Sequence, residues 1–234
     1  MNRFKIAIIL STFLNLILIG ALLYLFSFTT QGIYLFRKAT LYPRTVNWEE
    51  EVMKYEKLNR KTMPIQIVML GNSITYECQW YELLNRADVV NRGIPGELIE
   101  GVQQRIPTIF ALKSHTIVLM LGINNLLHNE DAYNVFKKYK ALADTLITQV
   151  QLLVCSTLYT VNHKEINLQV ALLNQMLEHY CKKKHIPWID LNQQLSANQS
   201  LKQHFSYDGI HLTAEAYSLW KEMLLPYLPP VNHE

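Results

Sequence analysis

The stretch Ile65-Gln-Ile-Val-Met-Leu-Gly-Asn-Ser-Ile-Thr75 governs how the rest of the chain is read. An apolar run rich in Ile and Val ends abruptly at Gly71, as a buried strand does at a turn. Gly71 permits the chain to bend sharply, and Ser73 follows two residues later at the strand's C-terminal edge. Ligands of open α/β sheets bind at that edge. Alone, the segment is more simply read as a strand followed by a serine that caps the next helix. Three later segments tip the balance toward chemistry.

Outward from this strand, strand and helix patterns alternate. Strands are expected at Ile65–Leu70, Asp88–Asn91, His115–Leu121, Gln151–Ser156 and Ile186–Leu191. Helices are expected at Tyr76–Arg86, at Glu97–Leu112 with a bend or stop at Pro107, at Ala132–Val150 and at Glu165–Lys184. A last helix, capped by Thr213, runs to about Leu225. The βαβ order implies a parallel sheet covered on both faces. Five strands suggest a flavodoxin-like order with a switch point between the first and third. Both of those strands end in glycine followed by polar residues, Gly71-Asn-Ser and Gly122-Ile-Asn-Asn. The expected fold is therefore three-layer α/β/α over residues 64–234.

Before the first strand, Ile6–Phe28 carries no charge and is almost wholly apolar. At about 23 residues it is long enough to cross a bilayer. A cleavable signal peptide would have a shorter apolar region and a small-residue cleavage site, which Ser27-Phe-Thr29 fits poorly. Residues 1–28 read as an uncleaved transmembrane anchor. The flanking charges do not decide orientation, and the expected arrangement has the domain outside. Residues 29–63 read as a connector. Within it Trp48, Val52, Tyr55 and Leu58 recur at helical spacing over Val46–Arg60, behind Glu49, Glu50 and Glu51. That helix is expected to pack on the domain or to lie near the lipid surface.

The chain has 234 residues and a formal net charge of +3, with its basic residues scattered. That leaves no electrostatic footprint for nucleic acid. Lys182, Lys183 and Lys184 fall at a helix end, where they suit the dipole. Cys78, Cys155 and Cys181 make no CxxC pair, so neither a zinc site nor a disulfide scaffold is expected.

The remaining informative segment is Tyr207-Asp-Gly-Ile-His-Leu212. Three-residue spacing lets Asp208 and His211 point the same way. A carboxylate on one ring nitrogen fixes the imidazole tautomer, and an imidazole so held can accept a proton from a serine hydroxyl. Acyl transfer also needs preorganised donors for the developing oxyanion. The candidates are the backbone N–H groups of Ser73 and Gly93 and the Asn124 amide, each just past an expected strand.

These four blocks resemble those of the SGNH, or GDSL-type, hydrolases. Leu70-Gly-Asn-Ser-Ile-Thr75 is similar to the family's G-D-S block and Asn91-Arg-Gly-Ile-Pro-Gly96 to its glycine block. Gly122-Ile-Asn-Asn125 is similar to G-x-N-D, and Asp208-Gly-Ile-His211 to D-x-x-H. The resemblance covers Ile65 to the C-terminus. It implies Ser73 as nucleophile, His211 as general base and then acid, and Asp208 as its orienting partner. Ser73, Gly93 and Asn124 would form the oxyanion hole, with no metal or organic cofactor. Asn72 and Asn125 depart from the family's usual aspartates, at positions that are neither nucleophile, base nor donor. Thr75 takes the last place of G-x-S-x-G, against the nucleophile elbow of α/β-hydrolases. The expected function is a membrane-anchored serine esterase acting on a small ester, an acylated sugar or a lipid. Acyl transfer to an acceptor alcohol by the same residues, or a tethered binding module, are the alternatives.

Overall fold

The structure is a computed structural model and describes residues 12, 15–20, 24, 47–58 and 64–230. The chain divides into two compact units, Met1–Thr45 and Val46–Glu234. In the first unit the described residues are helical. The expected anchor at Ile6–Phe28 lies largely outside the described residues. Among them, no helix is long and apolar enough to cross a membrane.

The second unit is built on five parallel strands: β1 (Ile67–Gly71), β2 (Val89–Gly93), β3 (Thr116–Met120), β4 (Gln151–Cys155) and β5 (Trp188–Ile189). Their order is β2-β1-β3-β4-β5, which puts the reversal of winding between β1 and β3. Register aligns Ile67 with Val89 on one side and with Thr116 on the other. Every residue of β1 and β3 is buried, which requires cover on both faces of the sheet. The result is the expected three-layer α/β/α arrangement. Helices Ala132–Leu146 and Lys164–Lys184 supply long apolar stripes, including Val135, Tyr139, Leu142, Val170, Leu173 and Leu177. The same core includes Trp80 and Trp220, whose rings meet edge-to-face at 4.8 Å. Fully burying aromatics of that size contributes about 1.5–3 kcal/mol each.

Local detail departs from expectation where side chains interrupt the backbone ladder. The single helix expected at Tyr76–Arg86 is instead two short ones, Ser73–Tyr76 and Trp80–Leu83. Asn91 Nδ2 donates to the carbonyls of Thr75, Tyr76 and Cys78, and Trp80 Nε1 also donates to Thr75 O. Those carbonyls are thereby drawn out of a continuing helix. Likewise Glu97–Leu112 resolves into Ile99–Gln104 and Ile106–Phe110, broken at Arg105 just before Pro107, which has no N–H to donate. β5 has two residues rather than six. Thr213 stands at the N-cap of Ala214–Leu224 without a capping bond, and its hydroxyl donates to His204 O.

The largest change of organisation concerns the connector. Helix Trp48–Leu58 belongs to the second unit, which begins at Val46 rather than near residue 64. Tyr55 is buried and donates its hydroxyl to Gly93 O at 2.7 Å, with the Arg92 guanidinium over its ring. Trp48 Nε1 donates to Glu97 Oε1 at 2.9 Å. The helix is thus fastened to the loop that follows β2.

Candidate active site

Ser73 is the first residue of a one-turn helix directly beyond β1. Asn72 caps that turn, its Oδ1 accepting from Ile74 N–H at 3.0 Å. An amide serves this cap as well as a carboxylate would, so the departure at Asn72 leaves the local geometry supported. The Asn72 Nδ2 group is buried without a partner. Close packing explains the glycines on either side. A Cβ on Gly71 would lie 2.1 Å from Thr75 Oγ1, and one on Gly93 would lie 2.5 Å from Tyr76 N. Only hydrogen at both strand ends lets the short helix settle onto the sheet.

His211 comes from a loop 138 residues further along. Its Nε2 lies 2.8 Å from Ser73 Oγ, and its Nδ1 lies 2.6 Å from Asp208 Oδ2. With a carboxylate against Nδ1, that nitrogen carries the proton, and Nε2 accepts from the serine hydroxyl. Asp208 is fixed in turn. Its Oδ1 accepts from the N–H groups of Ile210 and His211, across a turn at Gly209 with φ of +97°. Ser206 Oγ donates to His211 O and accepts from Gly209 N–H, closing the loop on itself.

Electrostatics follow from these contacts. Burial favours the neutral carboxyl of Asp208, but the bonds it accepts from the His211 ring and from two backbone N–H groups outweigh burial and lower its pKa. Burial favours neutral His211. The Asp208 hydrogen bond and charge, together with the Glu77 charge, overcome this and raise its pKa above the ordinary 6.5. Burial pushes the Cys78 thiol up to about 12, so it is an inert neighbour of the site.

The expected oxyanion donors fare differently. Ser73 N–H has no partner among the described residues. Asn124 opens the helix Ile123–Leu127 beyond β3, and its Nδ2 donates one hydrogen to Glu97 O at 3.0 Å, leaving the second. Gly93 requires correction. It is buried at the end of β2, and its N–H is already donated to Asn91 Oδ1 at 2.9 Å. Three residues on, Gly96 is exposed with φ of +75°, in a turn closed by Glu97 N–H donating to Ile94 O at 3.1 Å. Gly96 N–H is unengaged among the described residues. The Ile94-Pro-Gly-Glu97 segment carries the signature of a type II turn, Pro at its second position and Gly at its third. That signal was available in the sequence.

Behind these donors lies a buried polar support. Glu97 and Arg105 side chains are almost wholly inaccessible and ion-paired. Arg105 Nε donates to Glu97 Oε1 at 2.7 Å, and Arg105 Nη2 bonds both Glu97 Oε2 and, at 2.7 Å, Arg92 O. Asn125, the second departure from the family pattern, is fully buried. Its Oδ1 accepts from Ile99 N–H, while its Nδ2 donates to Glu100 and Glu130. An aspartate there would face two carboxylates with no proton to offer them, so this surround favours the amide.

A family model described as GDSL-like Lipase/Acylhydrolase matches residues 69–219. The N-acylneuraminate cytidylyltransferase of Streptococcus agalactiae serotype V is 24% identical over 126 residues, a match covering 53% of this chain and 30% of that protein. The match thus spans under a third of the length of that curated relative. A GDSL-like lipase from Bacteroides thetaiotaomicron shares the fold with a TM-score of 0.65 at 19% identity, over 77% of this chain and 96% of that one. An acetyl-xylooligosaccharide esterase from Geobacillus Stearmophilus does so with a TM-score of 0.59 at 14% identity, over 74% and 100%. At such identities the likeness to solved structures is one of fold. The family model, matched from within the strand before Ser73 through the loop of His211, goes further: the chain belongs to the GDSL-like lipase/acylhydrolase family.

Proposed function

We propose that the protein is a carboxylic esterase that works through an acyl-enzyme on Ser73, with His211 as base and then acid and Asp208 holding the imidazole. The observation that carries this reading is the continuous hydrogen-bond line from Ser73 Oγ through His211 to Asp208, at 2.8 and 2.6 Å. Ser73 Oγ passes its proton to Nε2 as it attacks the ester carbonyl. Asp208 stabilises the imidazolium that forms. Nε2–H then protonates the departing alkoxide, and a water molecule, deprotonated by the same nitrogen, releases the acid. Ser73 N–H, Gly96 N–H and Asn124 Nδ2 are the donors for the oxyanion, each worth about 2.7–4 kcal/mol of barrier.

The substrate we favour is a small acyl group, such as acetyl, on a carbohydrate or comparable alcohol, and an N-terminal anchor over residues 1–28 would hold the enzyme at a membrane. Support for the first is the compact domain, in which the four blocks fall between Leu70 and His211; the uncharged run Ile6–Phe28 supports the second. The test is labelling with a fluorophosphonate beside a panel of acyl esters. Wild type should label and Ser73→Ala should not, with turnover falling by several orders of magnitude. Labelling of Ser73→Ala at the wild-type rate refutes the assignment. Preference for long acyl chains over acetyl refutes the small-acyl reading, and acylation of an added sugar in place of acetate release makes the enzyme a transferase.

A further inference from the structure

We propose that Glu77, held by Tyr207, is a second acidic partner of the His211 imidazole and selects the leaving alcohol by charge. The proposal deepens the Ser73–His211 reading and rests on it. Glu77 closes the one-turn helix that Ser73 opens, its N–H donating to Ser73 O at 3.0 Å. Four residues from the nucleophile, its side chain shares the helix face with Ser73. Tyr207 immediately precedes Asp208. Its hydroxyl donates to Glu77 Oε2 at 2.8 Å, and its ring lies nearly parallel to the imidazole, 16° apart with centroids 5.8 Å apart. A bridge therefore runs from the nucleophile's helix, over one face of His211, back to the loop of its own partner.

The other carboxylate oxygen, Glu77 Oε1, lies 3.9 Å from His211 Nε2 and carries no hydrogen bond. Nε2 is the atom that hands its proton to the departing oxygen. A carboxylate beside Nε2 is consequently beside the departing alcohol as well. Among the described residues, the charges paired with the ring include Asp208 at Nδ1 and Glu77 at Nε2. Among the described neighbours, Tyr207 donates to Glu77, Tyr217 from the last helix donates to Ile74 O with its pKa raised by burial, and Cys78 is a buried thiol. Positive charge, or a hydroxyl donor, on the leaving alcohol is favoured near Oε1, and negative charge is disfavoured. The raised pKa of His211, to which the Glu77 charge contributes after burial and Asp208, agrees with this geometry.

Two readouts on the full chain test the pair. The first is the pH dependence of labelling by an uncharged fluorophosphonate. A base must be neutral to act, so the acid limb follows the His211 pKa. Glu77→Gln removes a charge that raises it and should move the limb to lower pH, whereas Glu77→Asp, which keeps the charge, should stay nearer wild type. The second is the ratio of kcat/KM for acetylcholine to that for its uncharged isostere, 3,3-dimethylbutyl acetate. In Glu77→Gln this ratio should fall about twofold to fivefold, the range of a partly exposed ion pair. In Tyr207→Phe the charge survives without its brace, so the acid limb should stay above that of Glu77→Gln. An unmoved limb and an unmoved ratio in Glu77→Gln overturn the proposal while leaving Ser73 and His211 in place. Absence of labelling in wild type would instead refute the underlying mechanism.

Discussion

Replacing Glu97 by Gln is the sharpest test of how the oxyanion side is supported. The two side chains of the Glu97–Arg105 pair are 0% and 1% exposed. Burial pushes the Glu97 carboxyl above its ordinary pKa, although Arg105 and Trp48 pull it down. A carboxyl raised in this way contributes stability that is present below its unfolded pKa and lost as pH rises through its folded one. At neutral pH the charged form of Glu97 is therefore a net burden, as desolvation of a buried pair often is. Breaking the pair is nonetheless worse. Glutamine keeps one acceptor for Arg105 Nε and Trp48 Nε1 but turns an N–H group toward Arg105 Nη2. Arg105, whose Nη1 is already buried without a partner, is left as an uncompensated cation.

Stranding one member of such a pair costs about 3–5 kcal/mol. At a urea slope of about 2 kcal/mol per molar, the unfolding midpoint should fall by about 1.5–2.5 M. Because Glu97 O also accepts from Asn124 Nδ2, kcat should drop about tenfold or more in protein that remains folded. The double variant Glu97→Gln with Arg105→Met removes the stranded cation. It should recover at least about 1 kcal/mol relative to additivity, the coupling expected of residues in one network. A single variant within about 0.5 kcal/mol of wild type, or a strictly additive pair, would refute the reasoning.

Asp208→Asn should keep the fold, since an amide oxygen still meets the N–H groups of Ile210 and His211, yet kcat should fall on the order of 10³–10⁴-fold through the wrong imidazole tautomer. Circular dichroism and ester turnover check this together, and a loss below tenfold would contradict it. Asn125→Asp should destabilise by about 1–3 kcal/mol, because it removes the donor shared by Glu100 and Glu130 and adds a third carboxylate. The deficit should shrink on acidification as that carboxyl protonates, and a midpoint deficit that does not change with pH would count against the account.

The sheet was legible because its signal is redundant. Apolar runs, strand-ending glycines and amphipathic stripes all pointed to one alternating order, and β1 and β3 are buried along their whole length as continuous apolar runs should be. Ser73, His211 and Asp208 stood out because hydroxyl, imidazole and carboxylate at such spacings have a shared chemistry. Helix ends were harder to read, since they depend on partners remote in sequence. Nothing near Tyr76 announces that Asn91 will claim its carbonyl. Gly93 misled because both glycines of Asn91–Gly96 follow a strand; the Pro95-Gly96 turn signal could be read, but the bond from Gly93 N–H to the Asn91 side chain could not. Glu77 has no motif; its position is visible only once Tyr207 lies over the imidazole.

The unit that carries the proposed site is larger than the stretch the family model matches. That match begins at residue 69, inside β1, yet Tyr55 grips Gly93 O and Trp48 grips Glu97 from a helix well before it. Glu97 O in turn holds Asn124, and Asn125 ties the same region to Ile99 and, through Glu100 and Glu130, to Lys138 on the following helix. On the opposite side, His211 is fixed by Asp208, Tyr207 and Glu77. The single helical turn that carries Ser73 is pressed onto two glycines at the ends of β1 and β2. The proposed oxyanion donors and the proposed base thus belong to separate supporting networks that meet at Ser73. Loosening the Trp48–Leu58 helix should therefore reduce transition-state stabilisation while leaving the His211 acid limb where it was, a separation that a single shared network would not allow.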